Sequence, residues 1–324
     1  IMQASSAYIF IVHKISYIAG DIMEDMIKIA ERYGLKASCV YKTKYFYTVR
    51  CGKSEYRIIP TQLSEERERE LYNIKEKLFA AGLKVCDKHI MTTEKKLIAE
   101  GEDGSYIMTE AVRGHNPAFE NISEIRATFS ALGSMHKILK EISCERADIA
   151  ESYKKGAARL KAIKKQLGCA KRLTDADIDF IKHYTDYYEL AQNAINVLEG
   201  LSFGVTCPIH GAIKEDNIFV SRNIIITDWE MCRPGHFMED TAQLIARYIR
   251  KFASNADDYL TLNEILEEYT SQNPVDNKEL AVLYALLMYP KRYIGLTTKY
   301  YSKAHKFTPA GVKRKFDESY EMKE

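Results

Sequence analysis

The sequence predicts an α+β chain, with a small antiparallel sheet in its first third and a larger, mainly helical part after it. Three observations carry that reading. Residues 36–110 contain runs rich in aromatic and β-branched types, separated by short turns. After Gly114 apolar residues recur every three or four positions instead. Only 16 glycines and 7 prolines occur in 324 residues, so few turns are available and long helices are expected. Charge then narrows the function classes. Lys+Arg 47 against Asp+Glu 45 leaves +2, too little for the strong basic field of a nucleic-acid binder. No apolar run approaches the ~20 residues that span a bilayer, so neither nucleic acid nor a membrane is expected as a partner. Seven cysteines without a CxxC pair argue against a disulfide scaffold or a cysteine zinc site, and suit a reducing, cytoplasmic setting.

Taken in order, residues 1–22 read as an N-terminal extension, or alternatively a short strand. The run AYIFIVHKISYIA is apolar but interrupted by His13 and Lys14, and a better helix opens at Met23. That helix, MEDMIKIAERYGL, puts Met26, Ile27 and Ile29 toward one side and stops at Gly34. Residues 44–51 and 54–60 form a hairpin about Cys51-Gly52-Lys53. A helix over 64–81 follows, with Ser64 as N-cap, acidic residues in its first turn, and Leu71, Ile74 and Leu78 on one face. Strands at Lys96–Ala99 and Ser105–Glu110 complete a first part over residues 23–109. The second part, 110–324, is helical. Ile122, Ile125, Phe129, Leu132, Met135 and Leu139 keep a helical period, as do Ile178, Ile181, Tyr188, Ala191, Ile195 and Leu198. The lysine-rich stretch 151–174 reads as a solvated helix face, with an anionic partner as the minority reading.

One region breaks the helical run: VTCPIHGAIKEDNIFVSRNIIITDWE, residues 205–230. Here a short hairpin separates Asn217 from Asp228. Two oxygen-bearing side chains at the ends of a hairpin can converge on one point and suit Mg²⁺, which takes few protein ligands and completes its shell with phosphate oxygens. Taken singly, each has a plainer reading, a turn Asn and a helix-capping Asp.

The segments His210-Gly211-Ala212-Ile213-Lys214-Glu215-Asp216-Asn217 and Ile226-Thr227-Asp228-Trp229 resemble the catalytic and metal-binding loops of the aminoglycoside and choline kinases, within the protein-kinase-like superfamily. Leu132-Gly133-Ser134-Met135-His136 and Asp240-Thr241-Ala242 resemble further conserved pieces of that superfamily. Residues 240–252 and 267–301 are similar to the spore coat protein CotS family. The resemblance implies a two-lobe protein-kinase-like fold, with Tyr106–Glu110 entering the hinge and Glu110 beside the nucleotide. It implies ATP and Mg²⁺ as cofactors, Asn217 and Asp228 as metal ligands, His210 as the brace of the loop, and Lys214 near the transferred phosphate. An exposed loop lysine is an equally good account of Lys214. It also implies the mother-cell cytoplasm, with assembly into the spore coat.

Two departures from the pattern matter. The catalytic Asp of the family falls at Ala212, and a methyl group cannot accept the proton of a substrate hydroxyl. Loss of a general base typically costs ~10²–10⁴ in rate. The phosphate-binding lysine of the family falls at Ile59 in Tyr56-Arg57-Ile58-Ile59-Pro60. Arg57, two residues earlier on the same strand face, could reach a phosphate in its place, but not as an equivalent group. The partner glutamate of that lysine could be Glu66 or Glu70. A single inactivating replacement would explain Ala212 but not Ile59. The expected function is therefore a degenerate, CotS-like kinase fold with a binding or structural role, its partner a small molecule or coat proteins. The alternative is an active ATP-dependent phosphotransferase on a small hydroxyl-bearing molecule. A basic module contacting an anionic polymer through residues 154–172 is a third.

Overall fold

A computed structural model describes residues 23–43, 45–118, 120–145, 147–201, 206–252, 256–302, 311–312 and 314–316. The expectations for residues 1–22 and Lys44 lie outside the described residues. The chain divides into two compact units, Ile1–Pro117 with Glu215–Glu230, and Ala118–Lys214 with Met231–Glu324. The change of periodicity near Glu110 thus lies close to the first crossing between units. The 215–230 hairpin, read in sequence as part of the helical region, packs with the strand-rich unit.

In that unit a helix over residues 23–32 (α1) precedes β1 (Cys39–Lys42), β2 (Tyr47–Cys51), β3 (Ser54–Thr61), α2 (Glu65–Ala80), β4 (His89–Ile90), β5 (Ile98–Gly101) and β6 (Gly104–Glu110). The sheet order is β1-β2-β3-β6-β4, with β5 also pairing β6, and every pair is antiparallel. Met26, Ile29, Ala30 and Tyr33 of α1 and its end form one stripe against Val49, Ile58, Tyr106 and Met108 of the sheet. Ile27, expected on that side, is exposed, because its neighbour-to-neighbour rotation from Met26 carries it off the stripe. Strand alternation turns Arg57, Ile59 and Thr61 away from the Ile58 side. On that second face Thr61 Oγ1 donates to Glu68 Oε1 of α2 at 2.7 Å.

The hairpin consists of β8 (Ile218–Val220) and β9 (Ile224–Ile226). It is seated in the unit by backbone bonds: Ile226 N–H to the Val85 carbonyl at 2.8 Å, and Val220 N–H to the His115 carbonyl at 2.7 Å. Gly114, at φ +131, makes the close approach possible, since a Cβ there would lie 2.3 Å from the Val220 oxygen.

The second unit is built from α3 (Ile122–Leu139), α4 (Ile149–Gly168), α5 (Asp175–Gly200), β7 (Cys207–Ile209), β10 (Arg233–Gly235), α6 (Met238–Phe252), α7 (Ala256–Gln272), α8 (Asn277–Met288) and α9 (Lys291–Tyr301). Capping boxes start α5 at Thr174 and α8 at Asp276. Phe129, Leu132, Met135 and Leu139 are buried as the period required, whereas Ile122 and Ile178 are exposed. Tyr153, Tyr187, Tyr289 and Tyr293 are buried, whereas Tyr284 is exposed; Tyr187 stacks on Tyr293 at 4.0 Å, and Tyr153 meets Tyr289 edge-on at 4.7 Å. The lysines of α4 are partly neutralised, Lys155 by Glu151 at 3.2 Å and Lys154 by Glu199. Among the described residues no helix is long and apolar enough to cross a membrane.

Candidate functional site

In the helical unit β7 leads into His210 and Gly211. Asp240, in the first turn of α6 and fully buried, fixes this loop. Its Oδ2 accepts the His210 N–H at 2.7 Å and its Oδ1 the Gly211 N–H at 2.8 Å. His136 Nε2 lies 3.5 Å from the same carboxylate, and its Nδ1 lies 2.8 Å from Tyr269 Oη. Burial works to raise the Asp240 pKa, but the hydrogen bond and charge of His136, with His210 and the Gly211 N–H, hold it below the ordinary carboxylate range. Gly211 sits at φ +80, where a Cβ would fall 2.4 Å from the Met231 oxygen, so the loop requires glycine. Buried His210 accepts the Ala212 N–H on Nδ1 at 3.4 Å. Ala212 and Lys214 are half-buried. The loop is therefore held from several sides, with a methyl group at position 212. Asp240 entered the sequence reading only as part of a pattern; its place at the start of a strongly amphipathic helix was the available signal.

In the strand-rich unit the hairpin register Ile218↔Ile226 brings Asn217 opposite Thr227, whose N–H donates to the Asn217 carbonyl at 2.8 Å. Asn217 is buried and Asp228 is exposed. The side chain of Asn116 donates to the carbonyls of Glu215, Asp216 and Ile218 at 2.9–3.2 Å and so holds the turn before the hairpin. Asp228 adopts φ +63, a left-handed conformation that Asp tolerates better than most residues and that persists only where surroundings impose it. An amide and a carboxylate, both hard oxygen donors, thus stand within one residue of a cross-strand pair. That donor set fits Mg²⁺ completed by phosphate and water.

Beside the hairpin lies a buried polar cluster that the sequence reading did not find. Lys75 Nζ donates to Asp87 Oδ1 at 2.7 Å, with side chains 3% and 6% exposed. His89 Nε2 lies 3.4 Å from the same ammonium, and the ring of buried Trp229 lies 5.9 Å from it. Burial alone would raise the Asp87 pKa, but Lys75 and His89 bring it below its ordinary value. Glu68 is also buried, and its Oε2, like His89 Nδ1, has no hydrogen-bond partner. Burial pushes the Glu68 carboxyl up, and the Thr61 hydroxyl and the charge of Lys75 only partly offset this. Glu66 and Glu70, the glutamates proposed from sequence, are exposed, and Glu70 pairs with Arg67 of its own helix. Ile59 is half-buried on the face of Thr61. Glu110 ends β6 as an exposed residue 3.7 Å from Lys88. The overlooked signal was spacing: Glu68, Leu71, Lys75 and Leu78 lie on one helical stripe, so two charges sit in the buried register.

This cluster makes the fold acid-sensitive. Burial, and then the neighbouring ammonium, depress the His89 pKa to about 3. Between about 6.5 and 3 the unfolded chain binds a proton that the folded chain refuses, so stability falls as pH falls through that window. The urea midpoint is expected to decline from pH 7 to pH 5. His89→Gln should flatten that slope, leaving the share of His236, whose burial lowers its pKa to about 4. An unchanged slope in the variant would refute the assignment.

The helical unit also holds a cavity of about 320 Å³ lined by Tyr187, Glu239, Gln243, Arg250 and Tyr289, among others. Among the described residues no group of three or more His, Cys, Asp or Glu is placed to bind a metal.

Comparison with known proteins gives the family and the fold. Residues 26–324 match the family described as "Spore coat putative kinase YutH". The comparison with curated proteins returns no match. Among solved structures, an aminoglycoside phosphotransferase from Alicyclobacillus acidocaldarius superposes with a TM-score of 0.77 at 13% identity, covering 91% of this chain and 92% of that one. The amicoumacin kinase hAmiN in complex with AMP-PNP, Ca²⁺ and Ami gives 0.67 at 15%, covering 96% and 95%. The choline kinase LicA from Streptococcus pneumoniae gives 0.54 at 16%, covering 94% and 98%. The α+β architecture is thus the protein-kinase-like fold.

Proposed function

The chain belongs to the spore coat kinase-like family that its residues 26–324 match, and on that premise we propose a coat-associated protein that keeps the kinase-like fold without phosphotransfer. The observation that carries the reading is the loop at Ala212. Asp240, Gly211 and His210 hold it in place, while the position of the family's general base carries no proton acceptor. The second departure supports it: Ile59 stands where the family has lysine, and the buried Oε2 of Glu68 has no hydrogen-bond partner. The fold then serves recognition, of a coat protein or of a small molecule, with the cavity of the helical unit as the candidate small-molecule pocket.

Nucleotide enters by likeness to the amicoumacin kinase, whose structure holds AMP-PNP. Asn217 and Asp228 are the residues that would hold Mg²⁺, which would neutralise phosphate charge when bound. Their retention favours a second reading, an active phosphotransferase on a small hydroxyl-bearing molecule. Release of labelled γ-phosphate from Mg·ATP by the full chain at high enzyme concentration decides between the two. No release above the spontaneous rate, alone or with amino-sugar and amino-alcohol acceptors, is expected; turnover by the unaltered chain would refute the non-catalytic reading.

A further inference from the structure

Arg57 makes an unusual set of contacts. It leaves the second face of β3 half-buried. Its guanidinium carbon lies 4.7 Å from the ring centroid of Phe46, just before β2, and 5.1 Å from that of Phe219 in β8. Nη2 donates to the Val112 carbonyl, just past β6, at 2.9 Å. Among the described residues no carboxylate lies within ion-pair distance of it. Burial therefore lowers its pKa, and the more distant Asp87 and Asp228 only partly oppose this. An arginine buried for structure usually finds a bidentate carboxylate. This one instead meets two aromatic faces and one carbonyl at its edge.

Those three contacts are also what a flat, amino-bearing heteroaromatic ring requires. Stacked rings sit with centroids ~4.5–7 Å apart, a range that includes both Arg57 distances. A backbone carbonyl at the rim accepts an exocyclic amino group as readily as it accepts a guanidinium N–H. The slot also lies at the start of the hairpin that carries the oxygen donors, since Phe219 is two residues beyond Asn217. A ring bound there would leave an attached phosphate chain near Asn217 and Asp228.

We infer that Arg57 is the built-in occupant of a slot for an aminopurine ring, and that the strand-rich unit takes up an adenine nucleotide well only when this side chain leaves. The choice of nucleotide rests on the reading of the fold given above; the occupancy by Arg57 does not. Arginine has a long, rotatable stem, so the occupant is displaceable, and it competes with the ligand as a tethered inhibitor would.

The test uses the full chain and Mg·ADP as the probe, with affinity read by calorimetry and folding by thermal melting. Arg57→Ala is expected to bind at least about tenfold more tightly than the unaltered chain. Arg57→Lys keeps the charge and removes the flat group, so it should show a gain too, and it serves if the alanine variant melts early. Phe219→Ala in the Arg57→Ala background should abolish the gain, and methylguanidinium should compete with ADP in Arg57→Ala. Equal affinities in the folded variant and the unaltered chain would overturn the inference, as would a gain that survives Phe219→Ala. Those results leave the non-catalytic reading standing. Turnover of ATP by the unaltered chain removes that reading instead and does not decide the comparison of affinities.

Discussion

Replacing Asp87 by alanine is expected to destabilise the protein by about 3–5 kcal/mol, because it leaves a buried ammonium without its anion. The pair is short and almost solvent-free: Lys75 Nζ to Asp87 Oδ1 is 2.7 Å, and the side chains are 3% and 6% exposed. The nearest alternative partner is His89, which burial keeps neutral and which offers no negative charge. Lys75→Met should cost a similar amount, because it strands the carboxylate in turn. The double variant Lys75→Met/Asp87→Leu should recover much of the loss, since an apolar pair of similar volume avoids the desolvation of both charges. Urea unfolding of the unaltered chain, Lys75→Met, Asp87→Leu and the double variant gives the coupling energy directly. A single-variant cost below about 1 kcal/mol, the range of exposed pairs, would mean that the pair is solvated and that the cluster does not hold α2 against residues 85–89.

The elements legible in sequence were those whose signal is local. Ser64 accepts the Arg67 N–H as an N-cap, Gly34 and Gly52 take the positive φ that their stop and turn positions require, and the hairpin from Asn217 to Asp228 has the register its two isoleucine-rich runs suggest. Long-range pairing was not legible. Strand β10 pairs with β7, although more than twenty residues separate them in the chain and neither run is longer than three residues. The polar interior was hidden for a related reason. Lysine, aspartate and histidine are mostly surface residues, so Lys75, Asp87 and His89 read as solvated until the fold brought them together. Arg57 shows the limit of motif alignment. Its sequence position suggested a substitute for the phosphate-binding lysine, while its head group meets Phe46, Phe219 and the Val112 carbonyl. Strand alternation gives the face on which a residue lies, but not where a long flexible side chain ends.

Restoring the family's base by Ala212→Asp alone is expected to give little phosphotransfer. The loop that would present the new carboxylate is already fixed by Asp240, so the substitution need not rebuild its backbone. On the non-catalytic reading, what is missing is the cation that clamps the α/β-phosphates; a metal ion neutralises phosphate charge without fixing those groups. Ile59→Lys would supply it, and buried Glu68, with Oε2 unpartnered near Thr61 on the same strand face, is the carboxylate that would orient it. Ala212→Asp/Ile59→Lys should therefore release more γ-phosphate than the two single variants combined, because groups that act as one unit are not additive. Adding Arg57→Ala should raise the rate again at subsaturating ATP by opening the slot, with a smaller effect at saturation. Single-turnover loss of labelled γ-phosphate with Mg²⁺ measures all four. Robust activity from Ala212→Asp by itself would show that position 212 is the sole lesion and that another cation already serves the phosphates. It would then follow that Glu68 Oε2 is buried without a hydrogen-bond partner for a reason unrelated to a lost lysine.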